Sequence, residues 1–204
     1  QSRFLFGIGL FLFLYTAISA FVYFELKNLL DIYGEETRTQ IWANMDLAVN
    51  TLTILVALFA TGRIAKRMGI SFTLASVPVL IGGGLLLVAA APMVSVVVGL
   101  QIIRRAGNYA VSRPAREMLF TAVDRETRFK AKPVIDIVIY RGGDMLSAWA
   151  FTGLTQGLGL GLAAVALVGA AVAAVWALTG IYLGRRFNTM NPSDSPPDTA
   201  HTVE

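Results

Sequence analysis

Two long stretches without a charged residue constrain this sequence more than any other feature. Residues 68–103 and 145–184 contain no Asp, Glu, Lys or Arg, over 36 and 40 positions. A helix rises about 1.5 Å per residue and a bilayer core is about 30 Å thick, so about 20 apolar residues make one crossing. Because the first stretch is far too long for one crossing, the sequence predicts several membrane helices.

The overall composition indicates the same class of protein. Hydrophobic residues make up 55% of the 204 residues and charged residues 15%, whereas a typical soluble domain has about 25% charged residues. This composition excludes a disordered chain and a soluble enzyme, and the lack of cysteine excludes a disulfide-linked secreted module. We predict an all-α membrane protein.

Proline and glycine positions divide the chain into six predicted transmembrane helices. Pro92 breaks the first uncharged stretch, Pro133 opens a later span, and the glycine-rich run 153–161 turns the chain into the last one. The predicted spans lie near 4–24, 39–61, 70–90, 93–112, 133–153 and 160–184. Residues 1–186 then form a six-helix bundle, and 187–204 form a disordered cytoplasmic tail with too little apolar surface to fold.

The segment between the fourth and fifth predicted spans is amphiphilic. Leu119, Phe120 and Val123 share one side at helical spacing, whereas most of the bases lie elsewhere. We predict a short helix over 117–132 that lies along the cytoplasmic interface, with an ordinary solvated loop as the alternative.

The loop charges alternate along the chain and predict an orientation. Basic residues predominate in 62–69, in 113–132 and at Arg185-Arg186, whereas the 25–38 loop has four acids against two bases. Cytoplasmic loops carry the excess of Lys and Arg, so both termini are predicted to be cytoplasmic. The net charge of +4 is then a signal of topology rather than of nucleic-acid binding.

Three of the predicted spans contain charged side chains, which cost on the order of 2.5–3.5 kcal/mol each at the centre of a membrane helix. At about 100° per residue, the polar residues of each span share one face. Three polar-striped helices that face a common interior predict the wall of an aqueous cavity. The candidate residues of this translocation path are Asp46, Asn50, Gln101, Arg104, Arg105, Asn108, Asp136, Tyr140, Arg141 and Asp144.

Two explanations of these charges stay open at the level of sequence. In the first, they pair with one another and hold the bundle together, since three arginines match three acids. These residues are Arg104, Arg105, Arg141, Asp46, Asp136 and Asp144. In the second, the adjacent Arg104 and Arg105 bind an anionic substrate, because a guanidinium holds phosphate or carboxylate through two parallel hydrogen bonds. Ion pairs that break and re-form during gating satisfy both explanations.

The sequence contains no motif for enzymatic chemistry, a metal or a cofactor. It has no cysteine, a single histidine at His201, no phosphate-binding loop and no nucleophile elbow. We therefore predict no catalytic residue, no metal site and no cofactor.

The segment after the second predicted span reads Gly62-Arg-Ile-Ala-Lys-Arg67-Met-Gly69. It resembles the cytoplasmic loop motif of the major facilitator superfamily, which recurs between the second and third helices of each six-helix half. Lys66 stands where the motif often has an acid, a departure that suits a C-terminal half. The resemblance implies a major-facilitator-type half, with Gly62, Arg67 and Gly69 as the motif residues.

A second resemblance covers the fourth and fifth predicted spans. They read Arg104-Arg-Ala-Gly-Asn-Tyr-Ala-Val-Ser-Arg-Pro-Ala-Arg-Glu-Met-Leu-Phe-Thr121, Phe129-Lys-Ala-Lys132 and Tyr140-Arg-Gly-Gly-Asp144. These segments are similar to the bacterial branch of the ATP/ADP translocase (nucleotide antiporter) family, and they match the C-terminal half of its twelve helices. The resemblance implies exchange of ATP for ADP, or of related nucleotides, in a bacterial inner membrane. It also implies a missing N-terminal six-helix half as partner, and Gln1 in place of Met favours a fragment.

The leading hypothesis is therefore one half of a secondary transporter for a nucleotide or a related anionic metabolite. The first alternative is a proton-coupled exporter of organic solutes, with Asp46 or Asp136 as the proton carrier. The second alternative is a membrane module that anchors or senses for a partner protein and transports nothing.

Reporter fusions after Leu30 and after Gly69 test the predicted orientation. We expect the first reporter outside the cytoplasm and the second inside, because only this arrangement places every basic loop on the cytoplasmic side. Both reporters on the same side of the membrane would contradict the orientation.

Overall fold

The computed structural model describes residues 2–59 and 61–190, with the backbone alone for 61–66. Over these ranges the chain is helical and contains no strand. The α-helices are α1 (Ser2–Leu30), α2 (Glu35–Phe59), α3 (Thr61–Ala90), α4 (Val94–Gly107), α5 (Arg113–Leu119), α6 (Arg125–Pro133), α7 (Tyr140–Thr152) and α8 (Leu162–Met190). They are joined or extended by π-helical turns at Asn108–Ser112, Val134–Ile139 and Gly153–Gly157 and by a 3-10 turn at Phe120–Ala122.

Four helices in the described ranges are long and apolar enough to cross a membrane. They are Ser2–Leu30, Glu35–Phe59, Arg67–Ala90 and Leu162–Met190. Their length and composition confirm the prediction of an all-α protein suited to a membrane. In the regions of the fourth and fifth predicted spans, π-helical turns leave α4 with 14 residues and α7 with 13, so their crossing stays a prediction.

Pro133 does not begin a helix, and the span predicted to open there stays a prediction. The helix begins at Arg125, where the Asp124 carboxylate accepts a hydrogen bond from the Thr127 backbone N–H at 2.9 Å and caps the first turn. Pro133 ends α6 inside a continuous helical path, and the π-helical turn Val134–Ile139 follows directly. Proline has no N–H to donate to the preceding turn, and a local rearrangement of the helical hydrogen bonds beside it is the expected consequence.

The segment predicted as one interfacial helix over 117–132 is instead divided between two helices. The first ends in the 3-10 turn Phe120–Ala122, and the second begins at Arg125. Asp124 accounts for the division, because its carboxylate serves as the cap of a new helix. We call the two continuous helical paths on either side segment 94–122 and segment 125–157.

Three predicted loops or tails are shorter than expected. The loop predicted over 25–38 is helical except for 31–34, and the run 153–161 is helical as far as Gly157. The final helix continues to Met190, past the predicted bundle end at 186. The rest of the predicted tail, 191–204, lies outside the described residues.

The helices pack as two sets of three that correspond to each other. α3 packs along α8, and α1 packs against segment 94–122. α1 also packs on segment 125–157 and on α8, just as segment 94–122 packs on α2 and on α3. When α1, α2 and α3 are matched in order with segment 94–122, segment 125–157 and α8, each of these packing contacts has a counterpart. This is the pattern of two internal repeats.

The most extensive helix contact is between α3 and α8, and glycines make the close approach possible. Gly180 brings α8 against the backbone of Leu74, and a Cβ added at Gly184 would lie 2.5 Å from the backbone nitrogen of Ser71. Leu85 and Trp176 fill the same bundle and are fully buried. Small residues allow such contacts in membranes, where helix association depends on packing.

Substitution of Gly184 by alanine should lower the stability of the protein. The added methyl would meet the Ser71 backbone, which cannot move aside as a flexible side chain can, and overpacking costs about 1–3 kcal/mol. Gly83→Ala on α3 is the matched control, because no atom lies within 4 Å of the added methyl and alanine favours helix over glycine by up to ~1 kcal/mol. The melting temperature in detergent should fall for Gly184→Ala and hold or rise for Gly83→Ala. Equal values for the two variants would contradict the close contact.

Candidate functional site

Arg104 of α4 is buried, with 4% of its surface exposed. Its Nε donates a hydrogen bond to Gln101 Oε1 at 2.9 Å. Its Nη1 donates to Ser19 Oγ at 2.6 Å and to Tyr15 Oη at 3.4 Å. The guanidinium also lies 5.8 Å from the centroid of the Tyr15 ring, within the range of a cation–π contact. All of these partners are neutral.

Among the described residues, no carboxylate lies within ion-pair distance of Arg104. Asp144 of α7 interacts with it electrostatically from further away, and the neighbouring Arg105 adds a charge of the same sign. Removing a guanidinium from water costs several kcal/mol, and neutral acceptors offset only part of that cost. The arrangement leaves positive charge inside the bundle, where an anion would be bound favourably.

Tyr15 lies midway along α1 and links this charge to two further helices. Its ring packs against Tyr140 of α7, with centroids 6.5 Å apart, and against Trp176 of α8, at 5.8 Å. The Trp176 side chain is fully buried, and its Nε1 has no acceptor in the part of the chain that the structure describes. A second buried donor therefore belongs to a ring that packs on Tyr15. We call this group the arginine cluster: Tyr15, Ser19, Gln101, Arg104, Tyr140 and Trp176.

Arg105 lies on another face of α4 and pairs with α2. Its Nη1 forms an ion pair with the Asp46 carboxylate. The Arg105 side chain is 30% exposed and the Asp46 side chain 54% exposed, and Asn50, one turn further along α2, is also exposed. The buried residues of α2 are Met45 and Val49. This ion pair therefore lies on an open face of the bundle.

A third group of charges lies where segment 94–122 meets segment 125–157. Arg116 Nη2 lies 3.3 Å from Asp136 Oδ1, without the alignment of a hydrogen bond, and Lys132 Nζ donates to the Glu117 carboxylate. A groove of about 430 Å³ runs beside them and includes the exposed ring of Phe129. These contacts link the ends of the two segments.

The observed pairs correct the scheme in which three arginines match three acids. Asp46 pairs with Arg105, as that scheme allowed, but Asp136 pairs with Arg116, which lay outside it. Arg104 finds neutral partners because α1, whose residues the scheme did not include, covers it. The charges of the predicted spans therefore belong to separate sites.

The remaining candidate residues on α7 lie at the edge of the arginine cluster. Tyr140 contacts the Tyr15 ring, while Asp144 is half-buried. Arg141 is exposed and interacts with Asp144 electrostatically, three residues along the same helix.

Two candidate residues lie in π-helical turns. The half-buried Asn108 begins the turn Asn108–Ser112, and Asp136 lies within Val134–Ile139. Turns of this kind inside α-helices are frequently found at functional sites, because they displace side chains from the regular helical spacing.

The predicted loop motif lies in a helix that kinks. The backbone of α3 is helical from Thr61, and it includes Gly62 and the exposed Arg67. Gly69 interrupts the helix with φ 76° and ψ 167°. A positive φ is strained for residues with a Cβ, so the structure gives a backbone reason for the second glycine of the motif.

Sequence reasoning missed Tyr15, Ser19 and Trp176. They lie in long apolar helices, and their place in the arginine cluster depends on how α1 and α8 pack. The four-residue spacing of Tyr15 and Ser19, which places them on one face of α1, was the one signal available.

No group of three or more His, Cys, Asp or Glu side chains that could hold a metal ion occurs in the described ranges. No protein-family model, no curated protein and no solved structure matches the chain. Inferences about function therefore depend on the arrangement of its own residues.

Loss of the Ser19 hydroxyl should destabilise the protein. Ser19→Ala removes the acceptor of the 2.6 Å hydrogen bond from Arg104, and hydrogen bonds to charged groups contribute about 1.5–3 kcal/mol. Ser95→Ala is the matched control, because Ser95 is exposed near the start of α4. We expect a lower melting temperature for the first variant alone. An unchanged value for Ser19→Ala would mean that the buried contact does not form.

Proposed function

We propose that this chain is one six-helix half of a major-facilitator-type secondary transporter. It exchanges nucleotides such as ATP and ADP, or a related anionic metabolite, by alternating access, and a second six-helix half completes it. Arg104 carries this proposal, because its guanidinium is buried midway along the bundle with neutral hydrogen-bond partners.

The chemistry of Arg104 suits an anionic substrate. A guanidinium presents five N–H donors in a planar fork that matches two oxygens of a phosphate group. Gln101 and Ser19 are neutral acceptors, so they release the guanidinium to a phosphate more easily than a carboxylate partner would. Tyr15 adds an aromatic face beside the bound group.

The correspondence between the two sets of three helices supports a transporter architecture. Two repeats of three crossings have opposite orientations in the membrane, because an odd number of crossings ends on the other side. Transporters of this kind bind substrate near the bilayer midplane, where the repeats meet. α1 and segment 94–122 are the first members of the two sets, and the hydrogen bonds of Arg104 to Tyr15 and Ser19 join them.

The Arg105–Asp46 pair supports a path along the open face of α2. In a complete transporter the second half covers this face and the central path runs between the halves. A substrate phosphate can then replace Asp46 as the partner of Arg105, so the ion pair opens and closes during the cycle.

The proposed location is the inner membrane of a bacterium, with both termini in the cytoplasm. The bases of 113–132 and Arg185-Arg186 support this orientation, since cytoplasmic loops carry the excess of Lys and Arg. Segments 94–122 and 125–157 would each cross the membrane once as the fourth and fifth helices.

Transport assays with the full-length gene product test the proposal. Proteoliposomes preloaded with ADP should take up labelled ATP. Arg104→Lys keeps the charge and loses the planar fork, so the apparent affinity for nucleotide should fall about tenfold, equivalent to about 1.4 kcal/mol. The matched control is Arg185→Lys, at an exposed position of α8.

Three results would count against parts of this proposal. If the wild-type protein exchanges no nucleotide, the proposed substrate class is wrong. Uptake of organic solutes driven by a proton gradient would favour the exporter. Normal nucleotide affinity in Arg104→Lys would remove the proposed site. Melting temperatures of each variant separate these results from misfolding.

A further inference from the structure

Glu25 is an acid that the proposed translocation path does not use. It lies near the end of α1, its exposure is 0%, and neither of its carboxylate oxygens has a hydrogen-bond partner in the described ranges. An ionised carboxylate buried in this way would lose its hydration without compensation, which costs several kcal/mol or more. A carboxyl group in such a place stays neutral by keeping its proton.

The phenylalanines next to Glu25 on α1 pack against apolar side chains from two other parts of the chain. Phe21, one turn earlier on the same face of α1, packs edge-on against Phe151, with centroids 5.8 Å apart. Phe24 stacks on the same ring at 5.1 Å, and Val165 of α8 is buried in the same cluster. We call Phe21, Phe24, Glu25, Phe151 and Val165 the glutamate junction. It joins the ends of α1 and of segment 125–157 to the start of α8.

Segment 125–157 and α8 supply no charged residue at the level of this junction, and α2 meets α1 there through Trp42, whose ring centroid lies 5.7 Å from that of Tyr23. Residues 145–184, which form the end of segment 125–157 and most of α8, contain no charged residue, and neither do residues 68–103 of α3 and early α4. The tyrosine of α8, Tyr182, lies near the start of α1, where the adjacent Leu183 packs on Gly7.

The titratable groups on segments 94–122 and 125–157 that face α1 lie at earlier levels of this helix. Arg104 contacts Ser19, which precedes Glu25 by six residues, or about 9 Å along the helix axis. Tyr140 contacts Tyr15. Asp144 and Arg141 lie close in sequence to Gly143, which packs on Thr16. Asp136 lies three residues before Ile139, which packs on Gly9.

The charged residues nearest to Glu25 along the chain are exposed, and two of them form an ion pair with each other. Lys27, on α1, is exposed, and so are Glu35 and Glu36 at the start of α2. Arg38 pairs with Asp31 at 3.4 Å.

We propose that Glu25 is a proton-binding site, whose protonated carboxyl allows the end of α1 to pack against segment 125–157 and α8. Loss of the proton would place a negative charge in the junction, so the helices must separate to admit water. The proton is taken from water and returned to it, and no other reactant is needed. This site stands independently of the proposed transport.

Infrared spectroscopy of the purified full-length protein in lipid nanodiscs measures the protonation directly. At neutral pH the wild type should show the C=O stretching band of a protonated carboxylic acid that Glu25→Gln lacks. The matched control Glu36→Gln should keep this band, because Glu36 is exposed at the start of α2. Identical carboxylic-acid absorption in the wild type and Glu25→Gln would overturn the proposal.

The pH dependence of stability gives a second readout. The folded chain holds a proton that the unfolded chain releases at neutral pH, so raising the pH favours unfolding. The melting temperature of the wild type and of Glu36→Gln should fall as the pH is raised, and that of Glu25→Gln should fall less. Equal pH dependence in all three proteins would overturn the proposal.

Glu25→Leu tests the proposal if the glutamine variant fails to fold. A neutral carboxyl in an apolar junction can be replaced by an apolar side chain, so Glu25→Leu should fold with at least the stability of the wild type at neutral pH. Strong destabilisation of both variants would mean that Glu25 is ionised and paired, which overturns the proposal. None of these measurements involves nucleotide exchange, so failure of the proton site and failure of the transport proposal are separate results.

Discussion

The Arg104 guanidinium is withdrawn from solvent among three helices, and its partners must come from the protein itself. α4 contributes Gln101, and α1 contributes Tyr15 and Ser19, so the position of α1 against α4 depends on meeting this one charge. Tyr15 in turn packs against α7 and α8 through Tyr140 and Trp176. Every helix that meets at the centre of the bundle is therefore linked to the same buried cation. A structural role and a role in anion binding are compatible, because the partners are neutral and can be exchanged for a phosphate.

The polar groups of the bundle lie in separate places and differ in their burial and in their partners. The Arg104 guanidinium is buried, the Arg105–Asp46 pair lies on the open face of α2, and Glu25 is buried in the glutamate junction. The correspondence of the two sets of three helices accounts for part of this division. α1 and segment 94–122 meet at the centre, whereas α3 and α8 pair through glycines on another side. The glutamate junction lies towards the end of α1, and Glu25 follows Ser19 of the cluster by six residues, so the proposed proton site and the proposed anion site occupy different parts of one helix.

Helix content was predictable from the sequence, but several helix boundaries were not. Hydropathy and length indicated α1, α2, α3 and α8, because about 20 apolar residues without a charge have few alternatives in a protein. The helix start at Arg125 was not predicted, because proline commonly opens a helix, whereas here the Asp124 cap starts one before Pro133. The π-helical turns beside Asn108 and Asp136 were also unpredictable, because no local residue pattern distinguishes them from regular helix.

The sequence by itself determined that charged residues are rare, that they cluster on a few helices, and that long apolar helices separate them. These properties follow from composition and spacing, which no folding step can change. Only the tertiary structure decided which partner each charge has. Arg104 and Arg105 are adjacent in sequence, but a helix turns about 100° per residue, so one is buried against α1 and the other pairs with Asp46 on α2. Likewise Glu25 resembles a loop residue in the sequence, and it became a buried carboxyl because α1 continues to Leu30 and its last turns lie among apolar side chains.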